Sequence, residues 1–285
     1  MSVRLWDLEE KRWVKEFKWT DYLTSVAYGR DQLAAGSEDG TAVIWDKATA
    51  AIRHKLKAHR GVVTGVAYSP DGGCLVSAGA DGTVRWWDTG TGQERFAVTG
   101  NGTPLSGVAY SPDGRLVAAA GADPMIRLWD AATGREVHTL PGHVAAITCV
   151  VFSPDGKRLA SADLDRVVRI WDVGTLKEDM PQKEPIRLDG PDPEKKRKPW
   201  DRGRPLIPRI AFSGDGRRLA SINAGQPIQL WDVATHLEVF TLPVEQSSLQ
   251  CVAFSRDGRW LVAGAGVFLH IWDAGEVRQS DKVTR

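Results

Sequence analysis

Seven Trp-Asp pairs recur along this chain, and their spacing constrains the fold more than any other feature. The tryptophans are Trp6, Trp45, Trp87, Trp129, Trp171, Trp231 and Trp272, with successive gaps of 39, 42, 42, 42, 60 and 41 residues. A fixed period of this length marks a chain built from stacked supersecondary units, none of which buries its apolar faces alone. Between the pairs, "GVAYSPDG" occurs unchanged at 65–72 and 107–114, with close copies "VVFSPDG" at 150–156, "IAFSGDG" at 210–216 and "VAFSRDG" at 252–258.

Each unit reads as four short strands. "TGVAY" (64–68) is a first strand, "CLVSAG" (74–79) a second, "TVRWWD" (83–88) a third, and a polar stretch such as "EVHTL" (136–140) a fourth. "SPDG" (69–72) and "ADG" (80–82) supply tight turns with Pro and Gly where such turns take them. No apolar residues recur at helical spacing over ten or more positions, and turn residues interrupt about every ten, so the class is all-β. Radial stacking of four-stranded units buries both faces of each.

The period, the Trp-Asp ending and the two turns resemble the WD-repeat β-propeller family over nearly the whole chain. The resemblance implies a β-propeller of four-stranded antiparallel blades, six complete and a seventh represented by two N-terminal strands. The expected blades are 20–60, 61–99, 100–142, 143–190, 209–243 and 244–285, with a partial blade at 1–19 and an insertion at 191–208. It also implies a buried hydrogen-bond network joining a His, a Ser or Thr, a turn Asp and the Trp. The matching residues are His59, Ser77, Asp81 and Trp87 in one unit, and His143, Ser161, Asp165 and Trp171 in another. Other units depart. Ala35 and Ala119 replace the Ser, and Gly225 and Gly266 stand in the Asp position, so those blades are expected to be softer.

The first unit is incomplete. Residues 2–7 and 12–19 read as a third and a fourth strand with no first or second. Three arrangements satisfy this: upstream repeats of a longer protein, a partner or second copy covering the gap, or a ring that closes imperfectly.

Composition excludes more than it selects. Apolar residues make up 42% of 285 and charged residues 26%, as in ordinary globular proteins. A formal charge of +1 provides no global field for nucleic acid or an anionic membrane. No stretch has 18 consecutive apolar residues, and no signal-peptide pattern opens the sequence. Three scattered cysteines, Cys74, Cys149 and Cys251, argue against a disulfide framework and for a reducing compartment, so a cytoplasmic protein is expected.

No catalytic constellation, phosphate loop or cofactor motif is present, and neither an enzyme nor a cofactor is expected. His59 and His143 are repeat equivalents two blades apart, as are His54 and His138, and their spacing suits packing and hydrogen bonds rather than a shared metal. Cys149 and Cys251 hold a place that is Ser25, Gly65 or Gly107 elsewhere, and read as small buried residues. Arg4, Arg85, Arg127 and Arg169 each precede a Trp by two residues and so share its strand face; a covering stem with a solvated charge is expected, against a nucleic-acid stripe.

Two departures point to function. The 60-residue gap holds an 18-residue insertion; with "EPIRLDG" (184–190) as the fourth strand, the excess falls in 191–208. That segment has five prolines and carries Lys195, Lys196, Arg197, Lys198, Arg202 and Arg204 around Trp200. By the resemblance it lies on the face that such propellers use for partners. Arg209 replaces the small residue of the other first strands. Together these residues suit an acidic or phosphorylated peptide; the plainer reading is a solvated, mobile insertion. The expected function is a non-catalytic protein–protein interaction scaffold, part of a larger regulatory or signalling protein. A phosphopeptide or acidic-peptide reader, a nucleic-acid-binding module and a propeller-fold enzyme are the alternatives.

Overall fold

The computed structural model describes residues 1–10, 12–57, 59–178, 185–188, 208–223, 226–244, 249–265 and 268–274. Every regular element among them is a β-strand, and the sheets are the blades of a β-propeller. The chain divides into two compact units, Met1–Val150 and Val151–Arg285.

The first unit opens with a two-stranded sheet, β1 (Ser2–Asp7) and β2 (Arg12–Lys18). Three four-stranded sheets follow, each hydrogen-bonded in chain order. The first holds β3 (Leu23–Tyr28), β4 (Gln32–Ser37), β5 (Thr41–Asp46) and β6 (Ile52–Lys57). The next holds β7 (Val63–Tyr68), β8 (Cys74–Gly79), β9 (Thr83–Asp88) and β10 (Glu94–Thr99). The third holds β11 (Leu105–Tyr110), β12 (Leu116–Gly121), β13 (Ile126–Asp130) and β14 (Glu136–Leu140). Burial explains the composition of each strand. The small-residue second strands β4 and β8 are buried at every position because both faces are covered, whereas β10 alternates exposed and half-buried positions at the rim.

Consecutive blades pack face to face through one recurring core. Ala34, Ala42, Ile44 and Leu56 of one blade meet Val63, Val66, Leu75 and Trp87 of the next. Val76, Ala78, Val84 and Trp86 meet Leu105, Val117, Ala119 and Trp129 in the same way. The two-stranded sheet joins this series through Val3, Leu5 and Phe17, which pack with Leu33, Ala35, Val43 and Trp45. It is the outer half of a blade. Its register shifts between Leu5 and Trp6, as the other third strands shift at Ile44/Trp45 and Leu128/Trp129.

The second unit begins within β15 (Ile147–Phe152), which pairs with β16 (Arg158–Asp163) and, through it, β17 (Val167–Asp172). The outer strand of this sheet is split. β18 (Lys177–Glu178) pairs with Trp171 and Asp172, while β19 (Ile186–Arg187) pairs with Val167 and Val168. Ile186 takes the place of Leu56, Val98 and Leu140, yet it lies fifteen residues after its Trp rather than eleven. Four of the extra residues therefore precede Ile186, which corrects the assignment of the whole excess to 191–208. Both pieces stay in the sheet because Ile186 and Leu188 are buried and fix the far end.

β20 (Arg209–Phe212), β21 (Arg218–Ile222), β22 (Ile228–Asp232) and β23 (Glu238–Leu242) form the next blade. β24 (Leu249–Phe254), β25 (Trp260–Ala265) and β26 (Phe268–Asp273) form three strands of the last. The fourth strand expected there lies outside the described residues, as do Gly225 and Gly266. The blade-to-blade core recurs, with Ala220, Ile222, Ile228 and Leu230 against Leu249, Val252, Leu261 and Ala263.

Candidate functional site

The residues with the most chemical side chains turn out to hold blades together. In the unit ending at Trp87, the indole Nε1 donates to Ser77 Oγ at 2.9 Å, and Ser77 Oγ lies 2.7 Å from His59 Nε2. His59 Nδ1 lies 3.1 Å from Asp81 Oδ1. A carboxylate only accepts, so Nδ1 carries the proton, Nε2 accepts from the serine, and one directed chain runs from Trp87 to Asp81. Burial pushes the His59 pKa down despite the carboxylate beside it, so the ring is neutral. Asp81 pays its own desolvation cost, yet the donors around it hold its carboxyl below the usual range: the amides of Arg60 and Thr83, the Thr83 hydroxyl and His59.

Other units solve the same problem with different residues. Asn101 stands in the His59 place and donates through Nδ2 to Asp123. Trp19 stands there in another unit and donates to Ser37 Oγ at 3.2 Å. Trp171 Nε1 donates to Ser161 Oγ at 2.9 Å, and Trp231 Nε1 to Ser221 Oγ at 2.8 Å. His143 is buried.

Asp165 is a correction. It is exposed, and the buried carboxylate of its unit is Asp163, whose Oδ1 accepts from the amide of Val167 at 2.9 Å. The equivalent amide, that of Thr83, donates to Asp81. The cause lies two residues earlier in the sequence. Beside Gly79 the space is filled by His59 and Asp81: a Cβ there would stand 2.4 Å from His59 Nδ1 and 2.7 Å from Asp81 Oδ1. Asp163 occupies that place with its own carboxylate, and Asp165 turns outward.

The aspartates of five of the seven Trp-Asp pairs have a role that the sequence reading did not assign. Asp46, Asp88, Asp130, Asp172 and Asp232 each accept through Oδ1 from an amide three residues on, that of Thr49, Thr91, Thr133, Thr175 or Thr235. The Asp-x-x-Thr spacing carried that signal. Backbone donation from Thr49, with Arg53 beside it, holds Asp46 down at about 2; Arg95 and the Thr91 amide do the same for Asp88, also at about 2. The "SPDG" turns are equally self-contained: Ser111, Ser153 and Ser213 each donate to the Asp two residues later at 2.6 Å.

Two further expectations change. Cys149 is half-buried and Cys251 is exposed, so the small-buried-residue reading does not hold for either. A Cβ on Gly65 would stand 3.1 Å from the Val108 amide, but one on Gly107 would meet nothing, so this register position is not uniformly crowded. Arg85 and Arg127 extend to glutamates on the adjacent outer strand, with Arg85 Nη1 2.8 Å from Glu94 Oε2 and Arg127 Nη1 3.1 Å from Glu136 Oε1. Those charges are already neutralised.

Arg209 is distinctive by its position. It opens β20 and pairs in register with Ile222, the place where Ser25 faces Gly36, Gly65 faces Ala78 and Cys251 faces Gly264. A half-buried arginine thus stands where the other first strands have a small residue. Lys195, Lys196, Arg197, Lys198, Trp200, Arg202 and Arg204 lie outside the described residues. Among the described residues, no three His, Cys, Asp or Glu side chains converge as a metal site, and no helix is long and apolar enough to cross a membrane.

A family model described as WD domain, G-beta repeat, matches residues 14–46, 51–88, 92–130, 134–172 and 237–273. Each match runs from the outer strand of one sheet through the third strand of the next, so the sequence repeat is offset from the blade by one strand. No curated protein matches the chain.

Proposed function

The chain belongs to the WD-domain family of G-beta repeats, and from that premise we propose that it is a non-catalytic protein-interaction scaffold within a larger regulatory or signalling protein. WD-repeat propellers generally bind proteins or peptides. The observation that carries the finer reading is Arg209, a half-buried cation in a register position otherwise held by small residues. It stands five residues after the basic stretch with Lys195, Lys196, Arg197, Lys198, Arg202 and Arg204 around Trp200. An aromatic anchor among guanidinium and ammonium groups suits an acidic or phosphorylated peptide, since arginine forks match carboxylate and phosphate oxygens. The reading also places the protein in the cytoplasm, in keeping with three free thiols.

The test is binding of matched acidic, phosphorylated and neutral peptide arrays to the full chain, to Arg209→Ala and to a deletion of 194–204. Preferential capture of the anionic peptides, weakened at least tenfold by either change, supports the reading. Equal binding by all three proteins overturns it. Binding of short oligonucleotides with a steep salt dependence, lost on deletion of 194–204, would instead favour a nucleic-acid module.

A further inference from the structure

The outer strands of the sheets repeat a small set of register positions, and β2 and β6 depart from the others. Opposite the Trp of the third strand stand Glu94, Glu136, Glu178 and Glu238, but Trp13 in β2 and Ile52 in β6. Opposite Arg85, Arg127 and Gln229 stand Ala97, Thr139 and Thr241, whereas in β6 Lys55 stands opposite Val43. Two residues further on, Thr83 faces Thr99, but Thr41 faces Lys57 and Ser2 faces Lys18. In the sheets that keep the pattern, Glu94 and Glu136 neutralise Arg85 and Arg127.

The exchange makes one rim both apolar and cationic. Trp13 is 52% exposed and Ile52 42% exposed. The glutamates at the same position, Glu94, Glu136 and Glu238, are exposed too, so the exposure belongs to the rim itself. Together β2 and β6 carry Arg12, Lys15, Lys18, Arg53, Lys55 and Lys57 against one acid, Glu16. Arg12 pairs with Glu10, Arg53 with Asp46 and Glu16 with Arg4, while Lys15 donates to the carbonyls of Lys47 and Ala48. Lys18, Lys55 and Lys57 have no ion pair among the described residues. The Lys55 ammonium lies 5.6 Å from the centre of the Trp19 ring. The Lys15 bonds and the shared core of Phe17, Trp19 and Trp45 hold the two sheets as one surface. The formal charge of +1 conceals this segregation.

We propose that the rim formed by β2 and β6 rests on the surface of an anionic lipid bilayer. Trp13 and Ile52 enter the headgroup region, and Lys18, Lys55 and Lys57 face the lipid anions. Lys18 and Lys57 stand five residues from Trp13 and Ile52, about 16 Å along an extended strand, so the contacts are spread out rather than aimed at one point. The same arrangement recurs at the same register in two neighbouring sheets. An extended surface suits that spread better than a small anion does. Tryptophan favours the boundary between water and lipid, and lysine stems reach from apolar surroundings back to the phosphates. Lysines alone would be the ordinary guard of an exposed strand edge. That role does not account for a Trp and an Ile in the place of glutamates. Anionic leaflets attract such basic clusters, and salt screens the attraction. None of these residues belongs to the Arg209 reading, so either can fail without the other.

The test is co-sedimentation of the full chain with phosphatidylcholine vesicles, with and without phosphatidylserine. Binding to the phosphatidylserine vesicles alone is expected, falling steeply as salt is raised. Combined Lys18→Glu, Lys55→Glu and Lys57→Glu should weaken it at least tenfold. Combined Arg115→Glu, Arg135→Glu and Lys157→Glu, the same charge change at exposed residues elsewhere, should leave it within about twofold, because the attraction fades within a Debye length of the surface. Trp13→Ser with Ile52→Ser should weaken it several-fold and keep the salt dependence. Urea midpoints show that the variants fold, and Gln at the three lysines replaces Glu if they do not. Equal binding to both vesicle types, or binding by the rim variants equal to that of the parent, overturns the proposal. Loss of vesicle binding on deletion of 194–204, with the rim variants unaffected, overturns it in favour of the basic stretch. Failure to bind vesicles alongside rim-dependent binding of polyglutamate overturns it in favour of an acidic polypeptide.

Discussion

Ser77 Oγ stands 2.7 Å from His59 Nε2 with both side chains buried, and it also accepts from the indole of Trp87. Ser77→Ala would leave two buried polar groups without partners. Leaving a buried donor or acceptor unmade costs about 1–3 kcal/mol. A loss of that order in urea denaturation is expected, with a smaller loss for Trp87→Phe combined with Ser77→Ala than the two single losses added together.

The exchange of roles between Asp163 and Asp165 makes a sharp pair of variants. Asp163→Ala removes the acceptor for the Val167 amide in a buried turn and should cost about 1–3 kcal/mol. Asp165→Ala, at an exposed residue, should stay within about 0.5 kcal/mol of the parent. Equal destabilisation by the two would contradict the assignment.

Trp45 Nε1 is buried without a hydrogen-bond partner, because Ala35 holds the place that Ser77 holds against Trp87. Ala35→Ser restores the acceptor. A gain of up to about 1 kcal/mol is expected, the usual net value of such a bond, readable as a raised urea midpoint.

Acid should weaken the fold in two stages. His59 has its pKa lowered by burial, so the unfolded chain takes up that proton first and stability falls once pH drops below the ordinary histidine value of 6.5. His59→Asn should flatten the stability profile in that range. Asp46 and Asp88 sit at about 2 against an ordinary 3.8, so their contribution is present above the ordinary value and is lost as pH falls toward 2. Denaturation midpoints followed from pH 7 to pH 2 check both stages.

What the sequence determined by itself was everything local. The strands, the "SPDG" and "DG" turns and the Trp-Asp endings follow from alternation and turn chemistry within a few residues, and repetition multiplied the signal. The split outer edge formed by β18 and β19 was not legible, because nothing in "KEDMPQKEPIR" says that both ends return to β17. Tertiary structure alone decided which of Asp163 and Asp165 is buried, since that turns on the place that a glycine holds beside His59 in the sister unit. It also decided the fate of Val-Ala-Tyr. Residues 66–68 and 26–28 are the same three letters, yet Val66 is buried and Val26 is exposed. A strand's sequence fixes which face is apolar; whether that face meets water depends on a neighbour contributed by a distant part of a chain, and no local pattern encodes its presence.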